Sequence, residues 1–166
     1  MLIVLLILIK GSKRAIITLV LILIGVAISD SLGGWIKEAV ARPRPCHVLG
    51  EINLLVGCGR AYSFPSNHAA NMFMLSFLVN YRHQGWGWYL FPLAGLVGYS
   101  RIYVGAHYPG DVLGGIFVGI GSASAVGLAA KKAQLGLNRL ACWRRLAVPF
   151  SRAWDNYQKC RERLQP

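Results

Sequence analysis

Apolar residues in this chain come in long runs separated by short polar breaks. The runs read MLIVLLILI (1–9), AIITLVLILIGVAIS (15–29), AANMFMLSFLVNY (69–81), WGWYLFPLAGLVGYS (86–100) and VLGGIFVGIGSASAVGLAA (112–130). A helix needs roughly 20 mostly apolar residues to cross a bilayer. The last run approaches this length alone, and the second reaches it by continuing through Leu32, Gly33, Gly34, Trp35 and Ile36. The third and fourth fit if their polar ends lie at the interface; the first is too short as it stands. No internal repeat or linker interrupts the pattern. It predicts an all-α, polytopic transmembrane helical bundle of about five to six spans over residues 1–130, followed by a tail over 131–166.

Two helix starts are well marked. In SFPSNHAANMF, Ser63 is the expected N-cap and Pro65 suits a first turn, where a missing N–H is harmless. In AHYPGDVLGG, Pro109 takes the same place, because the residue before a proline is pushed out of helical geometry. Gly115 and Gly119 form a small-xxx-small pair that predicts close helix packing.

Composition agrees with a membrane protein: 55% of residues are hydrophobic and 14% charged, more apolar than a small soluble core needs. A secretory signal is disfavoured, since Lys10, Lys13 and Arg14 follow the first apolar run instead of preceding it. The net charge of +12 matters mostly through its placement. Lys10, Lys13 and Arg14, then Arg82 and His83, then Lys131, Lys132 and Arg139 fall on one side of an alternating layout, which the positive-inside rule makes cytoplasmic. The basic tail could suggest nucleic acid. Its interleaved Leu140, Trp143, Leu146, Phe150 and Trp154 favour instead a partly amphipathic segment at anionic lipid, interrupted at Pro149.

Cysteine placement follows the same topology. Cys46 and Cys58 share the outer loop, where a disulfide between them is expected, while Cys142 and Cys160 lie in the cytoplasmic tail and should stay reduced. There is no C-x-x-C, which argues against a zinc site.

The outer side carries Lys37, Arg42, Arg44, Arg60 and Arg101 against the charge rule, and such cations need a partner or a task. Three segments return to this side: KEAVARPRP (37–45), PSNH (65–68) and SRIYVGAHYPGD (100–111). Fixed cations and two helix N-termini suit a dense anion such as phosphate. Two histidines beside it suggest one attacking phosphorus and one protonating the leaving oxygen. Asp111, four residues after His107, is placed to reach back and hold that ring, although an aspartate in a first turn also suits the helix dipole.

These segments resemble the signature of the type 2 phosphatidic acid phosphatase superfamily, which includes bacterial acid phosphatases and vanadium haloperoxidases. The signature reads K-x6-R-P, P-S-G-H and S-R-x5-H-x3-D. Here Lys37 and Arg44-Pro45, then Pro65-Ser66-Asn67-His68, then Ser100-Arg101, His107 and Asp111 match in order and spacing, from 37 to 111. The resemblance implies a lipid phosphatase domain over 1–130. In it His107 would be the nucleophile forming a phosphohistidine, with Asp111 orienting it and His68 acting as general acid and then base. Lys37, Arg44, Ser66, Asn67 and Arg101 would bind the phosphoryl oxygens. No metal and no cofactor is implied.

Candidate substrates are undecaprenyl pyrophosphate, the 1-phosphate of lipid A, phosphatidylglycerol phosphate and phosphatidic acid, held in a bacterial inner membrane with the active site at the periplasmic or outer face and the tail cytoplasmic. The partners expected are that phosphorylated lipid and the membrane, and no nucleic acid. Two features depart from the family. Asn67 stands where glycine is usual, and the chain shows four good helices plus a stub where six are usual, so a first helix is expected to be missing or truncated.

Other polar positions have plainer expectations. Arg82 and His83 read as interfacial anchors, His47 as an exposed loop histidine, and Trp86, Trp88 and Tyr89 as an aromatic belt. Asp30, seven residues before Lys37, is expected to pair with it on one helix face, and Arg42 to support the site or touch a head group. Two rival functions share these features. One is a lipid phosphotransferase using the same phosphohistidine. The other is a non-catalytic phospholipid-binding protein, which would need the cations but not the His68, His107 and Asp111 set.

Overall fold

The structure, a computed structural model, describes residues 13–48, 57, 59 and 62–146, with side chains through residue 140. The apolar stretch 1–9, Cys58, Arg60 and the expected amphipathic segment beyond 146 lie outside the described residues. Four of the five apolar runs form helices: α1 (Lys13–Val40), α3 (Asn67–Arg82), α4 (Gly87–Tyr103) and α5 (Pro109–Leu146), with a short α2 (Pro45–Val48) after α1. The chain divides into two units, Met1–Gly127 and Leu128–Pro166. The first carries every candidate site residue. The described part of the second continues α5 as a largely exposed helix.

The faces of α1 are inverted relative to a soluble helix. Its buried stripe is Ala15, Thr18, Ile22, Gly25, Ser29 and Gly33, at spacings of three and four. Its exposed side carries Ile16, Ile17, Val20, Leu23, Ile24, Ile28 and Leu32. Small and polar residues inside with large aliphatics outside is the arrangement that lipid favours, because helix contact there is driven by close packing. α1 and residues Pro109–Leu140 of α5 are each long and apolar enough to cross a membrane. α3 and α4, with 16 and 17 residues, are shorter. Trp86, Trp88 and Tyr89 are exposed around the start of α4.

α3 packs against both α1 and α4. Around it gather Ile22, Met74, Leu78, Val79, Leu90, Ala123 and Val126. Glycines allow the helices to approach. A Cβ on Gly25 would sit 2.6 Å from Met74 Sδ, and one on Gly115 would sit 2.5 Å from the Ser66 carbonyl oxygen. A Cβ on Gly119 would overlap the Ala70 carbonyl, so the Gly115/Gly119 pair seats α5 directly on the backbone of α3.

Helix ends set the site. α1 stops at Val40: Ala41 adopts a left-handed φ of 47°, its N–H bonding Lys37 O at 2.9 Å, and Pro43 and Pro45 follow. At α3 the cap is Ser66 and not Ser63 as expected. Ser66 Oγ accepts from Ala69 N at 3.5 Å, and Pro65 precedes the helix. Pro109 opens α5 as expected.

At the opposite end of the same unit, Thr18 is fully buried and draws together the start of α1 and the end of α3. Its hydroxyl donates to Arg14 O at 2.8 Å and lies 3.2 Å from His83 Nε2, while Arg82 Nε donates to it at 3.5 Å.

Candidate active site

Three stretches far apart in sequence meet above the start of α3, and main-chain bonds fix their spacing. Residues 42–43 pair with 62–63 through the Pro43–Tyr62 bridge and the Ser63 N–H to Arg42 O bond at 2.8 Å. Ser63 Oγ adds bonds to Arg42 O at 3.3 Å and Pro43 O at 3.2 Å. The Ser66 N–H donates to Asp111 O at 2.9 Å, tying the start of α3 to the start of α5. After α4 the chain reverses at Gly105, with φ of 68°, and the N–H groups of Ala106 and His107 return to Arg101 O.

His107 sits in this junction, 5% exposed. Its Nδ1 lies 2.8 Å from the Ser63 carbonyl oxygen, and its Nε2 lies 3.3 Å from Arg44 Nη1. A carbonyl only accepts and a guanidinium only donates, so the proton belongs on Nδ1 and the lone pair on Nε2. Burial, and then the Arg44 charge, hold its pKa down at about 4, against smaller upward effects from the Ser63 bond and Asp111. The ring is therefore neutral at neutral pH, with its lone-pair nitrogen turned to a cation.

The structure differs here from the sequence expectation that Asp111 holds His107 directly. Asp111 Oδ2 is 3.7 Å from Nδ1, and that nitrogen is taken by Ser63 O. Asp111 is fully buried; its Oδ2 accepts from the Tyr108 N–H at 2.8 Å and its Oδ1 from Arg42 Nη1 at 3.0 Å. It shapes the turn that presents His107 and lends its charge. Arg42 also lies over the Tyr108 ring, 4.0 Å from its centroid.

Arg44 and Lys37 act on this histidine through their charge, and Arg101 acts on His68. Arg44 Nη1 also donates to Ala106 O at 3.0 Å, and burial lowers the Arg44 pKa, with Asp111 opposing, while the group remains charged. Lys37 Nζ donates to the Pro65 carbonyl and to Asn67 Oδ1, the latter at 2.7 Å. Arg101 presents a buried Nε with no hydrogen-bond partner among the described residues, an open donor of the kind an anion would take. His68, the second residue of α3, is exposed and lies within the field of Arg101, Arg44, Asp30 and Lys37.

Ser66 and Asn67 serve the scaffold as well as the pocket. Ser66 Oγ caps α3, and its N–H is already bonded to Asp111 O. The N–H groups of Asn67 and His68, in the first turn, have no intrahelical acceptor and are open to an anion. The expected direct Asp30–Lys37 pair does not form; Asn67 lies between them, its Nδ2 donating to Asp30 Oδ1 at 3.1 Å.

Sequence reasoning missed Ser63 as the residue that orients His107, since a backbone carbonyl leaves no trace in side-chain chemistry. It missed Asn71, which also donates to Asp30 Oδ1, at 2.9 Å. Cys46 is disulfide-bonded. The Cys58 expected as its partner is outside the described residues. His47 is exposed, as expected.

Comparison with known proteins gives a consistent result. A family model described as the PAP2 superfamily matches residues 15–134. The chain is 32% identical over 118 residues to a lipid A 4'-phosphatase of Porphyromonas gingivalis, covering 67% of this chain and 50% of that protein. It is 40% identical over 78 residues to the undecaprenyl-diphosphatase BcrC of Bacillus subtilis, covering 47% and 40%. An undecaprenyl-diphosphatase of Sulfolobus acidocaldarius is 35% identical over 116 residues, covering 69% and 55%. The chain thus spans about half the length of these relatives. A crystal structure described as the first transmembrane PAP2 type phosphatidylglycerolphosphate phosphatase from Bacillus subtilis shares the fold with a TM-score of 0.57 and 23% identity, covering 78% of this chain and 68% of that one.

Proposed function

The chain belongs to the PAP2 superfamily, and from that premise we propose that it is a membrane phosphatase acting on a phosphorylated or diphosphorylated lipid head group. The observation that carries the reading is the tautomer of His107 that its neighbours dictate: Nδ1–H bonded to Ser63 O, and Nε2 unprotonated with its lone pair directed at Arg44. A protein that only bound the head group would need the cations and would have no use for a buried neutral imidazole among them.

In this reading Nε2 of His107 forms a bond to phosphorus while the bond from phosphorus to the leaving oxygen breaks. His68 gives its proton to that oxygen. Water then attacks the phosphohistidine, giving its proton to His68; the P–N bond breaks, and phosphate leaves with His107 restored. Lys37, Arg44 and Arg101, with the N–H groups at the start of α3, stabilise the charge on the non-bridging oxygens, and these cations supply the electrostatics without a metal. Arg42 and Asp111 keep the 108–111 turn in place.

In this reading α1 and α5 span the membrane, and the shorter α3 and α4 cross it with their polar ends at the interface. Arg14, Arg82 and His83 gather at one end of the unit and the site lies at the other. The positive-inside rule then puts the site at the outer face of a bacterial-type cytoplasmic membrane, with the basic residues after 130 in the cytoplasm. Lipid chains would enter beside α1 and α4, whose outward faces are apolar. Relatives named for undecaprenyl diphosphate and for lipid A make these the first substrates to test.

The test is phosphate release by the detergent-purified protein in EDTA from undecaprenyl diphosphate, lipid A, phosphatidylglycerol phosphate and phosphatidic acid. Release from one of them that disappears in His107→Ala is the expected result. Release undiminished in His107→Ala would overturn the mechanism, and phosphate moved to an acceptor lipid without release would make the protein a phosphotransferase.

A further inference from the structure

Asn67 occupies the position where the related signature carries glycine, and the structure gives its side chain a specific place. Asp30 and Lys37 are two turns apart on α1, about 10 Å along the axis at 1.5 Å per residue, too far for a direct pair. Gly33 lies midway on the same face. A Cβ there would sit 2.7 Å from Asn67 Oδ1, so the missing side chain is what admits the Asn67 amide between α1 and α3. The amide faces Lys37 with its oxygen, at 2.7 Å, and Asp30 with its nitrogen, at 3.1 Å.

This orientation is dictated by the neighbours. An ammonium only donates and a carboxylate only accepts, so a primary amide satisfies both in one sense only. Asn71, one turn further along α3, donates a second amide N–H to Asp30 Oδ1 at 2.9 Å and holds the carboxylate in register. Two of the three Lys37 N–H groups are then committed, to the Pro65 carbonyl and to Asn67 Oδ1. The third has no acceptor among the described residues and can serve a ligand.

We propose that Asp30 and Asn67 are positioning residues for Lys37. Asp30 fixes the Asn67 amide, and the amide in turn fixes the ammonium that grips the phosphoryl group. The proposal rests on the reading that Lys37 binds phosphate. It goes beyond it in making phosphate affinity depend on a carboxylate two turns away that touches no ligand. With glycine at 67 that dependence would shrink to the through-space attraction of the two charges, because no hydrogen-bonded bridge would join them.

The experiment is a double-mutant cycle read by orthovanadate binding in calorimetry, which needs no turnover. Asp30→Leu, which keeps the shape and removes the acceptor, is expected to weaken vanadate binding about 5-fold, and Asn67→Gly by a similar factor. In the Asn67→Gly background, Asp30→Leu should then change affinity less than 2-fold. Asp30→Asn, which restores an oxygen acceptor for the Asn67 amide, should recover part of the affinity lost in Asp30→Leu; a role in helix stability alone would not distinguish these two variants.

Equal losses from Asp30→Leu in both backgrounds, or no loss in the wild-type background, would overturn the proposal. Failure of the wild-type protein to release phosphate while still binding vanadate would refute the phosphatase reading and leave this cycle readable. Wild type binding no vanadate would overturn both.

Discussion

The protonation of His107 offers the sharpest check on the site. An ordinary imidazole has a pKa near 6.5, and burial together with the Arg44 guanidinium brings this one to about 4. That difference corresponds to about 3 kcal/mol against the imidazolium, so at pH 6.5 roughly one molecule in 300 carries the extra proton, where a free histidine would be half protonated. The perturbation is pH itself. The assay is nitrogen NMR of labelled histidine side chains in micelles, with His107→Gln used to identify the resonance. The expected signal is a neutral Nδ1–H ring from pH 8 to below 5, titrating near 4.

Arg44→Gln should raise the midpoint but leave it under 6.5, because burial is the larger cause. The linked stability has a definite sign. The folded-state value lies below the unfolded one, so the contribution is full above about pH 6.5. It is lost as pH falls toward 4, by at most about 3 kcal/mol. A midpoint at 6.5, or an Nε2–H tautomer, would refute the hydrogen-bonding argument on which the nucleophile assignment stands.

Two further outcomes follow from the packing. Arg42→Ala removes the ion pair to Asp111, a fully buried carboxylate. Because the Arg42 side chain is itself 41% exposed, the loss should be about 1–2 kcal/mol, below that of a fully buried pair, and it should appear as a lower thermal midpoint in detergent. An unchanged midpoint would mean the pair contributes nothing. Gly119→Leu places a side chain against the Ala70 carbonyl on the helix that carries His68, and should cost about 1–3 kcal/mol and reduce phosphate release. Gly121→Leu, where a Cβ meets nothing within 4 Å, is the control and should match wild type.

Helices and the identity of the polar cluster were legible in the sequence for separate reasons. The apolar runs had to be helical, since a lipid-exposed backbone must satisfy its own hydrogen bonds, and α1, α3, α4 and α5 follow them. The cations stood out because they violated the charge rule on one side. What could not be read were contacts to main-chain groups. Ser63 looked like a cap from composition alone, whereas Ser66 caps α3, and Ser63 contributes a carbonyl to His107. Asp111 was at the right spacing to reach His107, but the Tyr108 N–H and Arg42 hold its two oxygens. Asn67 stood out in the sequence only as a departure from glycine. Its partners on α1 became visible only once the helices were packed at Gly33.

The site's bonds also impose an order in time. His107 Nδ1 to Ser63 O, Arg44 Nη1 to Ala106 O and the Ser66 N–H to Asp111 O all join residues 44–66 to residues 106–111, at 2.8, 3.0 and 2.9 Å. Neither half holds the geometry by itself. As the chain emerges from the ribosome, the first segment carries Lys37 and Arg44 but not His107. His107 arrives only with α4 and the turn that leads into α5. A chain cut short before residue 107 therefore lacks the joined site, and two halves made as separate polypeptides divided at the 83–86 turn would have to find each other before either could complete it.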